Sequence, residues 1–158
     1  MATGLVIYYS RSGNTKLMAK TIAEAMEAAG LPTKLKSVEE TKIADLLGAD
    51  AIVVGSPTYY GRMAAPIAQL FDESVGKHGK LDGKIGAAFS SSSNIAGGNE
   101  TTIISILETL LIHGMIVQGD PQGDHYGPVS IGKPDEKALN QCRRRGQRIA
   151  ELTRSLFD

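Results

Sequence analysis

Cysteine is nearly absent from this chain, with Cys142 the only one among 158 residues. That excludes an internal disulfide framework and any paired-thiol redox or zinc motif. Tryptophan is missing, and aromatic residues together make up only 5%, so a cluster of aromatics stands out wherever it occurs. An excess charge of one sign is also missing, because Lys+Arg and Asp+Glu each number 17. No global field then draws the chain to nucleic acid or to an anionic membrane. No apolar run approaches the length of a membrane span. Residues Met1–Tyr9 lack the basic stretch and apolar segment of a secretory leader. The expectation is a cytoplasmic chain with neither nucleic acid nor membrane as partner. Three scattered histidines and no cysteine pair give no metal constellation.

What is present is ordinary globular usage, 42% hydrophobic and 22% charged, at a length that suggests one domain over residues 1–158. Short apolar runs alternate with helical patterns. Leu5–Tyr9, Thr33–Ser37 (weaker), Ala51–Gly55, Ile85–Phe89 and Met115–Val117 read as strands, the continuous apolar ones being typical of buried parallel strands. Residues 15–29, a helix beginning near Pro66, residues 100–113 and about 135–156 carry apolar side chains at helical spacing. In the last helix the stripe is Leu139, Cys142, Gly146, Ile149, Leu152 and Leu156. Strand–helix alternation of this kind predicts an α/β fold, a three-layer, doubly wound, five-stranded parallel sheet. Ligands of such sheets sit beyond the carboxyl ends of the strands, so the loops there are where function is sought.

Three of those loops are unusual. Ser10-Arg11-Ser12-Gly13-Asn14-Thr15 joins a strand to a helix start and offers hydroxyls and backbone amides to a phosphate. It lacks the glycine patterns of nucleoside-triphosphate and dinucleotide loops. Gly55-Ser56-Pro57-Thr58-Tyr59-Tyr60-Gly61 places two adjacent aromatics in a loop, where they suit stacking on a flat ring. The run Ser90-Ser91-Ser92-Ser93-Asn94, followed by Gly97 and Gly98, supplies hydroxyls and a main chain that a ligand edge can approach closely. A fourth loop, Gly119–Gly132, holds Asp120, Asp124, His125 and Tyr126. The readings open for it are a cover over the ligand and a plain solvated loop.

The order of these motifs resembles a known group. Ser10–Thr15 is similar to the flavodoxin phosphate loop. Gly55–Gly61 is similar to the flavin-ring loop of the flavodoxin-like NAD(P)H:quinone oxidoreductases, also called the Trp-repressor-binding-protein family. Gly97–Thr102 together with Leu110–Met115 resembles the same group, and the resemblance runs over nearly the whole chain. It implies strand order 2-1-3-4-5 and FMN as cofactor, the phosphate on Ser10, Arg11, Ser12, Gly13, Asn14 and Thr15. The ring is implied to lie between Pro57, Thr58, Tyr59, Tyr60 and Gly61 on one side and Ser90, Ser91, Ser92, Asn94, Gly97 and Gly98 on the other, with His125 and Tyr126 as further contacts.

Two functions follow from the resemblance: electron transfer through bound FMN with a redox partner protein, or two-electron reduction of a quinone by NAD(P)H; the apolar helix 100–113 reads either as a homodimer face for the latter or as packing against the sheet. Receiver-domain chemistry is disfavoured by the absence of acidic residues after the first strand, and tyrosine-phosphatase chemistry by the lack of a cysteine there. No catalytic residue is assigned. His113 reads either as a charge complementing the end of its helix or as the counterpart of a histidine near the reductase active site. Cys142 reads as a core thiol, and Arg143-Arg144-Arg145 as a solvated helix face.

Overall fold

The computed structural model describes residues 1–158. Strands β1 (Gly4–Tyr8), β2 (Thr33–Ser37), β3 (Ala51–Pro57), β4 (Ile85–Ser92), β5 (Ile116–Val117) and β6 (Val129–Ile131) form one parallel sheet. Its order is β2-β1-β3-β4-β5, with β6 also paired to β4. The helices are α1 (Asn14–Ala28), α2 (Ile43–Gly48), α3 (Ala65–Ser74), α4 (Asn99–Ile112) and α5 (Glu136–Phe157). The order and the layers are those expected, and the fifth position is the exception. β5 pairs with the base of β4, at Ile85 and Gly86. β6 pairs with its tip, at Ser90–Ser92. One edge is thus built from two short strands, and residues 118–128 leave the sheet between them. The Gly119–Gly132 segment is therefore not all loop. β4 also runs three residues past the expected end, taking Ser90–Ser92 into the sheet.

The alternation of side chains along the inner strands decides the layers. Leu5, Ile7, Ile52, Val54 and Ala88 join α3 and α4 residues such as Ile67, Phe71, Ile103 and Leu110 in one core. Val6, Val53, Ala87 and Phe89 point the other way, onto Met18, Ile22, Met26, Cys142 and Ile149 of α1 and α5. Close helix contact is possible there because Gly146 faces the Ile22 carbonyl, where a Cβ would lie 2.6 Å away. Because each helix returns from the carboxyl end of one strand to the amino end of the next, α1 and α4 both begin at the same edge of the sheet.

Helix α5 departs from the expected stripe. Its buried face is Ala138, Cys142, Arg145, Gly146, Ile149, Ala150 and Thr153, and Leu156 is exposed. The arginine triplet is not a solvated face either. Arg143 is exposed, but Arg144 pairs with the buried carboxylate of Asp120, and Arg145 is buried with its guanidinium on the Gln118 carbonyl. Cys142 is fully buried, and burial pushes its thiol up to about 12, which makes it inert at neutral pH.

His113 caps the C-terminal end of α4, at the amino edge of the sheet and so away from the loops described above. It is buried, and its Nε2 lies 2.8 Å from Ser74 Oγ. The Ser74 hydroxyl donates to the Phe71 carbonyl, so its oxygen must accept from the histidine and Nε2 carries the proton. Burial, followed by the neighbouring His78, lowers the pKa of His113. A neutral imidazole does not complement a helix dipole, and within this chain the side chain is remote from the carboxyl edge. Both expectations for His113 give way to a buried hydrogen-bonded group.

Two predictions follow from this packing. A Cβ on Gly55 would overlap the Phe89 ring lying across it. Gly55→Ala should therefore cost about 1–3 kcal/mol, read as a lower denaturant midpoint at unchanged slope, and Phe89→Leu in the same chain should recover part of it. For His113, the folded pKa lies below the unfolded value, so the unfolded chain binds more protons as pH falls through about 6.5. The stability conferred by the neutral form is complete above that pH and is lost on acidification. Thermal melts between pH 8 and pH 5 should show a decline for the native chain that His113→Gln flattens.

Candidate cofactor-binding site

Loop one, between β1 and α1, ends on Gly13, a left-handed N-cap with φ of 95° whose helix receives no side-chain cap. The Leu17 amide bonds to the Gly13 carbonyl, so the amides of Asn14, Thr15 and Lys16 precede the first intrahelical bond. Arg11, Ser12 and Gly13 are exposed. Ser10 Oγ accepts from the Gly13 amide at 3.1 Å and shapes the turn. Thr15 differs from its neighbours. It is buried, and its hydroxyl lies 2.9 Å from Ser91 Oγ, tying the start of α1 to the tip of β4.

Loop two is closed by its own hydrogen bonds. Ser56 Oγ accepts from the Ala64 amide at 2.8 Å, which draws residues 57–63 into a compact excursion ahead of α3. Within it, Tyr59 and Arg62 exchange backbone bonds of 3.1 and 3.3 Å. The central residues Tyr60 and Gly61 both have positive φ, 51° and 74°, the signature of a tight primed turn. Tyrosine is an unusual residue for that backbone region, and such outliers concentrate at functional sites. Tyr60 is also fully exposed at 103%, so this apolar ring is presented rather than packed.

Loop three meets loop two directly. The α4 N-cap, Gly98, has φ of 101° and no side-chain cap. A Cβ there would stand 2.7 Å from Gly61 Cα, so only glycine permits the approach. Thr101 Oγ1 spans the contact, 2.7 Å from the Gly61 carbonyl and 3.0 Å from that of Gly98. On the β4 side, Ser92 Oγ donates to the Asn94 carbonyl at 3.1 Å and accepts from Asn99 Nδ2 at 3.1 Å.

The serines divide into two groups. Ser90 is fully buried, and its hydroxyl lies 2.7 Å from the Ser56 carbonyl and 2.9 Å from Thr58 Oγ1. The Thr58 amide donates to the Ser91 carbonyl at 2.8 Å. Ser90 and Ser91 thus spend their hydroxyls stitching β3, β4 and α1 together. The open part of loop three is Ser93–Gly97. In the fourth loop, His125 and Tyr126 are exposed, and the Pro128 carbonyl takes the Ser90 amide. Pro57, half-buried, ends β3 at the same edge.

All four loops therefore gather at the carboxyl edge of the sheet. Two helix starts on left-handed glycines without a side-chain cap lie there, and the exposed apolar side chains Tyr60, Ile95 and Tyr126 stand on three of the loops. Such an edge accepts a ligand with an anionic end and a flat apolar body. Thr101, Asp120, Arg144 and Arg145 organise these loops, a role that local pattern does not show because each acts on a residue far away in the chain. No group of three His, Cys, Asp or Glu side chains could hold a metal ion. No helix is long and apolar enough to cross a membrane.

Comparison with known proteins agrees with this geometry. A Flavodoxin domain profile matches residues 5–106. A protein named flavodoxin from Aquifex aeolicus is 44% identical over 100% of this chain and 90% of its own. A protein named NAD(P)H dehydrogenase (quinone) from Azorhizobium caulinodans is 35% identical over 99% of this chain and 100% of its own. That alignment runs over 198 positions, so at least 40 of them lie opposite gaps in these 158 residues. Among solved structures, a flavodoxin from the domain Archaea is 35% identical with a TM-score of 0.79, covering 96% of this chain and 99% of that one. A flavodoxin, WrbA-like protein from Agrobacterium tumefaciens, 24% identical over 98% of this chain and 99% of its own, shares the fold at a TM-score of 0.85. An uncapped first helix, two facing glycine turns and these likenesses lead to one conclusion: the chain belongs to the flavodoxin family.

Proposed function

We propose that this chain binds FMN at the carboxyl edge of its sheet and passes electrons through it. The flavin supplies the redox chemistry when bound, and the protein supplies orientation, burial and hydrogen bonds. The single observation that carries the reading is the start of α1. A helix that begins on a left-handed glycine without a side-chain cap, beside exposed Ser12 and Arg11, answers a monophosphate with amides, a hydroxyl and a positive charge.

In this reading Ser10, Ser12, Gly13, Asn14 and the Thr15 amide hold the phosphate. The Thr15 side chain acts as an anchor, being already engaged with Ser91. Tyr59 and Tyr60 flank the ring, and the Gly61–Gly98 contact lets main chain lie close to its edge. Ser92, Asn94 and Gly97 line the opposite side. Ser90 belongs to the supporting lattice and not to the contact surface. Tyr126 and His125 close the remaining side.

A second reading, two-electron reduction of a quinone by NAD(P)H, is favoured by the relatives named NAD(P)H dehydrogenase (quinone). It asks for open space over the ring, and full exposure of Tyr60 is compatible with that. The same proposal includes a homodimer through α4, whose Leu111 and Ile112 are exposed.

FMN titration of the apoprotein should yield a yellow, stoichiometric complex. Ser12→Glu should weaken FMN about tenfold or more through charge repulsion with the phosphate, while leaving riboflavin, which carries none, nearly unchanged. Equal losses for the two flavins would remove the phosphate from this loop. Steady NADH or NADPH oxidation on adding a quinone distinguishes the enzyme from the carrier. Light scattering at micromolar concentration should give twice the 16.7 kDa chain mass, and Leu111→Glu should halve it.

A further inference from the structure

Between β5 and β6 the chain makes an excursion, residues 118–128, that ends at the candidate site. It is fastened to α5 from three sides. Arg144 meets Asp120 as a fork, Nε to Oδ2 at 2.7 Å and Nη2 to Oδ1 at 2.8 Å. Arg148 lies 3.7 Å from the same carboxylate, and its Nη2 donates to the Gly119 carbonyl at 3.0 Å. Arg145, only 3% exposed, donates to the carbonyls of Gln118 at 2.7 Å and Asp124 at 3.3 Å. Asp124 in turn accepts the Val129 amide and donates its own to Gln141 of α5, which sets β6 against the tip of β4. The Asp120 side chain is 3% exposed. Two guanidinium groups on one buried anion offset its desolvation cost.

The same bolt fixes a histidine. His125 Nδ1 lies 2.7 Å from the Asp120 main-chain carbonyl, and the Asp120 amide donates to the His125 carbonyl at 3.2 Å. A carbonyl only accepts, so Nδ1 carries the proton. In the neutral ring Nε2 is then an acceptor, and it has no partner within the chain. His125 itself is exposed at the carboxyl edge.

We propose that the Asp120–arginine clamp is a positioning device that holds His125 as its Nδ1-protonated tautomer and presents Nε2 as a hydrogen-bond acceptor to a donor group on the molecule bound at this edge. The inference rests on the FMN reading for the identity of that molecule. It stands on the clamp geometry for the tautomer. Asp120 and the arginines are positioning residues, acting through the backbone of residues 120–125.

The test compares the native chain with Asp120→Asn, His125→Ala and the double variant. In the apoprotein, nitrogen-15 NMR of the imidazole should show the Nδ1-protonated form, and Asp120→Asn should move it toward the Nε2-protonated form usual in solution. Amide hydrogen exchange over residues 119–128 should rise in the same variant while α1 and β1 stay protected. FMN affinity should fall about tenfold in either single variant, the scale of one lost hydrogen bond, and the double variant should be no worse. Should Asp120→Asn not fold, Arg144→Lys keeps the charge, removes the fork and carries the same readings. An unchanged tautomer and unchanged exchange overturn the clamp. An altered tautomer with FMN affinity untouched by His125→Ala overturns the presentation to the ligand. Failure of the native chain to bind FMN at all, with the tautomer still fixed, counts against the flavin reading and not against the clamp.

Discussion

The amides at the start of α1 are the interaction on which the rest of the molecule depends. A parallel sheet with right-handed crossovers brings helix starts to the carboxyl edge of its strands. At that edge the first few N–H groups of a helix need acceptors from outside it. Most helices meet the need with an Asp, Ser or Thr side chain, as α5 does through Asp135, which accepts from the Ala138 amide. Neither α1 nor α4 does so; each begins on a left-handed glycine with no side-chain cap. A cap is worth on the order of 1 kcal/mol. α3 lacks such a cap as well, but Pro66 removes one of its free amides; α1 and α4, starting on glycines, leave two positive helix ends turned toward the same space.

That arrangement holds only if the loops do not drift, and the hydroxyl lattice explains why they do not. Ser56, Thr58, Ser90, Ser91 and Thr15 link β3, β4 and α1 through short hydrogen bonds among largely buried groups. Ser90 and Ser91, at the end of β4, thus act as framework. The residues left exposed at this edge, and so free for a ligand in the proposed reading, include Ser12, Tyr60, the 93–97 loop and Tyr126. The division follows from solvation. A buried hydroxyl must find a partner within the fold, whereas an exposed one stays available to a ligand.

The local parts of this design are legible in the sequence. Leu5–Tyr9 and Ala51–Gly55 announce buried strands because burial on both faces leaves no polar position to alternate. Ser10–Thr15 announces a helix start because its chemistry is contained in six consecutive residues. What escapes is whatever depends on partners distant in sequence. β6 is three residues long among glycines and aspartates, and it exists because the Asp124 carboxylate and the tip of β4 receive it. Arg144 and Arg145 resemble any charged helix face until the fold brings residues 118–124 beneath them. His113 sits in a stretch that resembles the reductases, yet its surroundings here are set by Ser74, 39 residues earlier. Periodicity reports which face is buried, but not which buried carboxylate awaits a guanidinium.

The neutral charge of the chain bears on the choice between carrier and reductase. A carrier that docks through long-range attraction gains from a strong net field, and equal numbers of acidic and basic residues give none. Local features must then do the recognising, and the exposed Tyr60, Ile95 and Tyr126, with exposed Arg62 beside Tyr60 and exposed Arg11 on the first loop, are short-range ones. The relative named NAD(P)H dehydrogenase (quinone) from Azorhizobium caulinodans carries at least 40 positions without a counterpart here. Loops tolerate such differences in length at small entropic cost, whereas the sheet and its edge do not. The clamp on residues 118–128 gains meaning in that light. Helix α5 holds the last of these loops in place, with Arg144 and Arg148 on the buried Asp120 carboxylate and Arg145 on the loop carbonyls of Gln118 and Asp124.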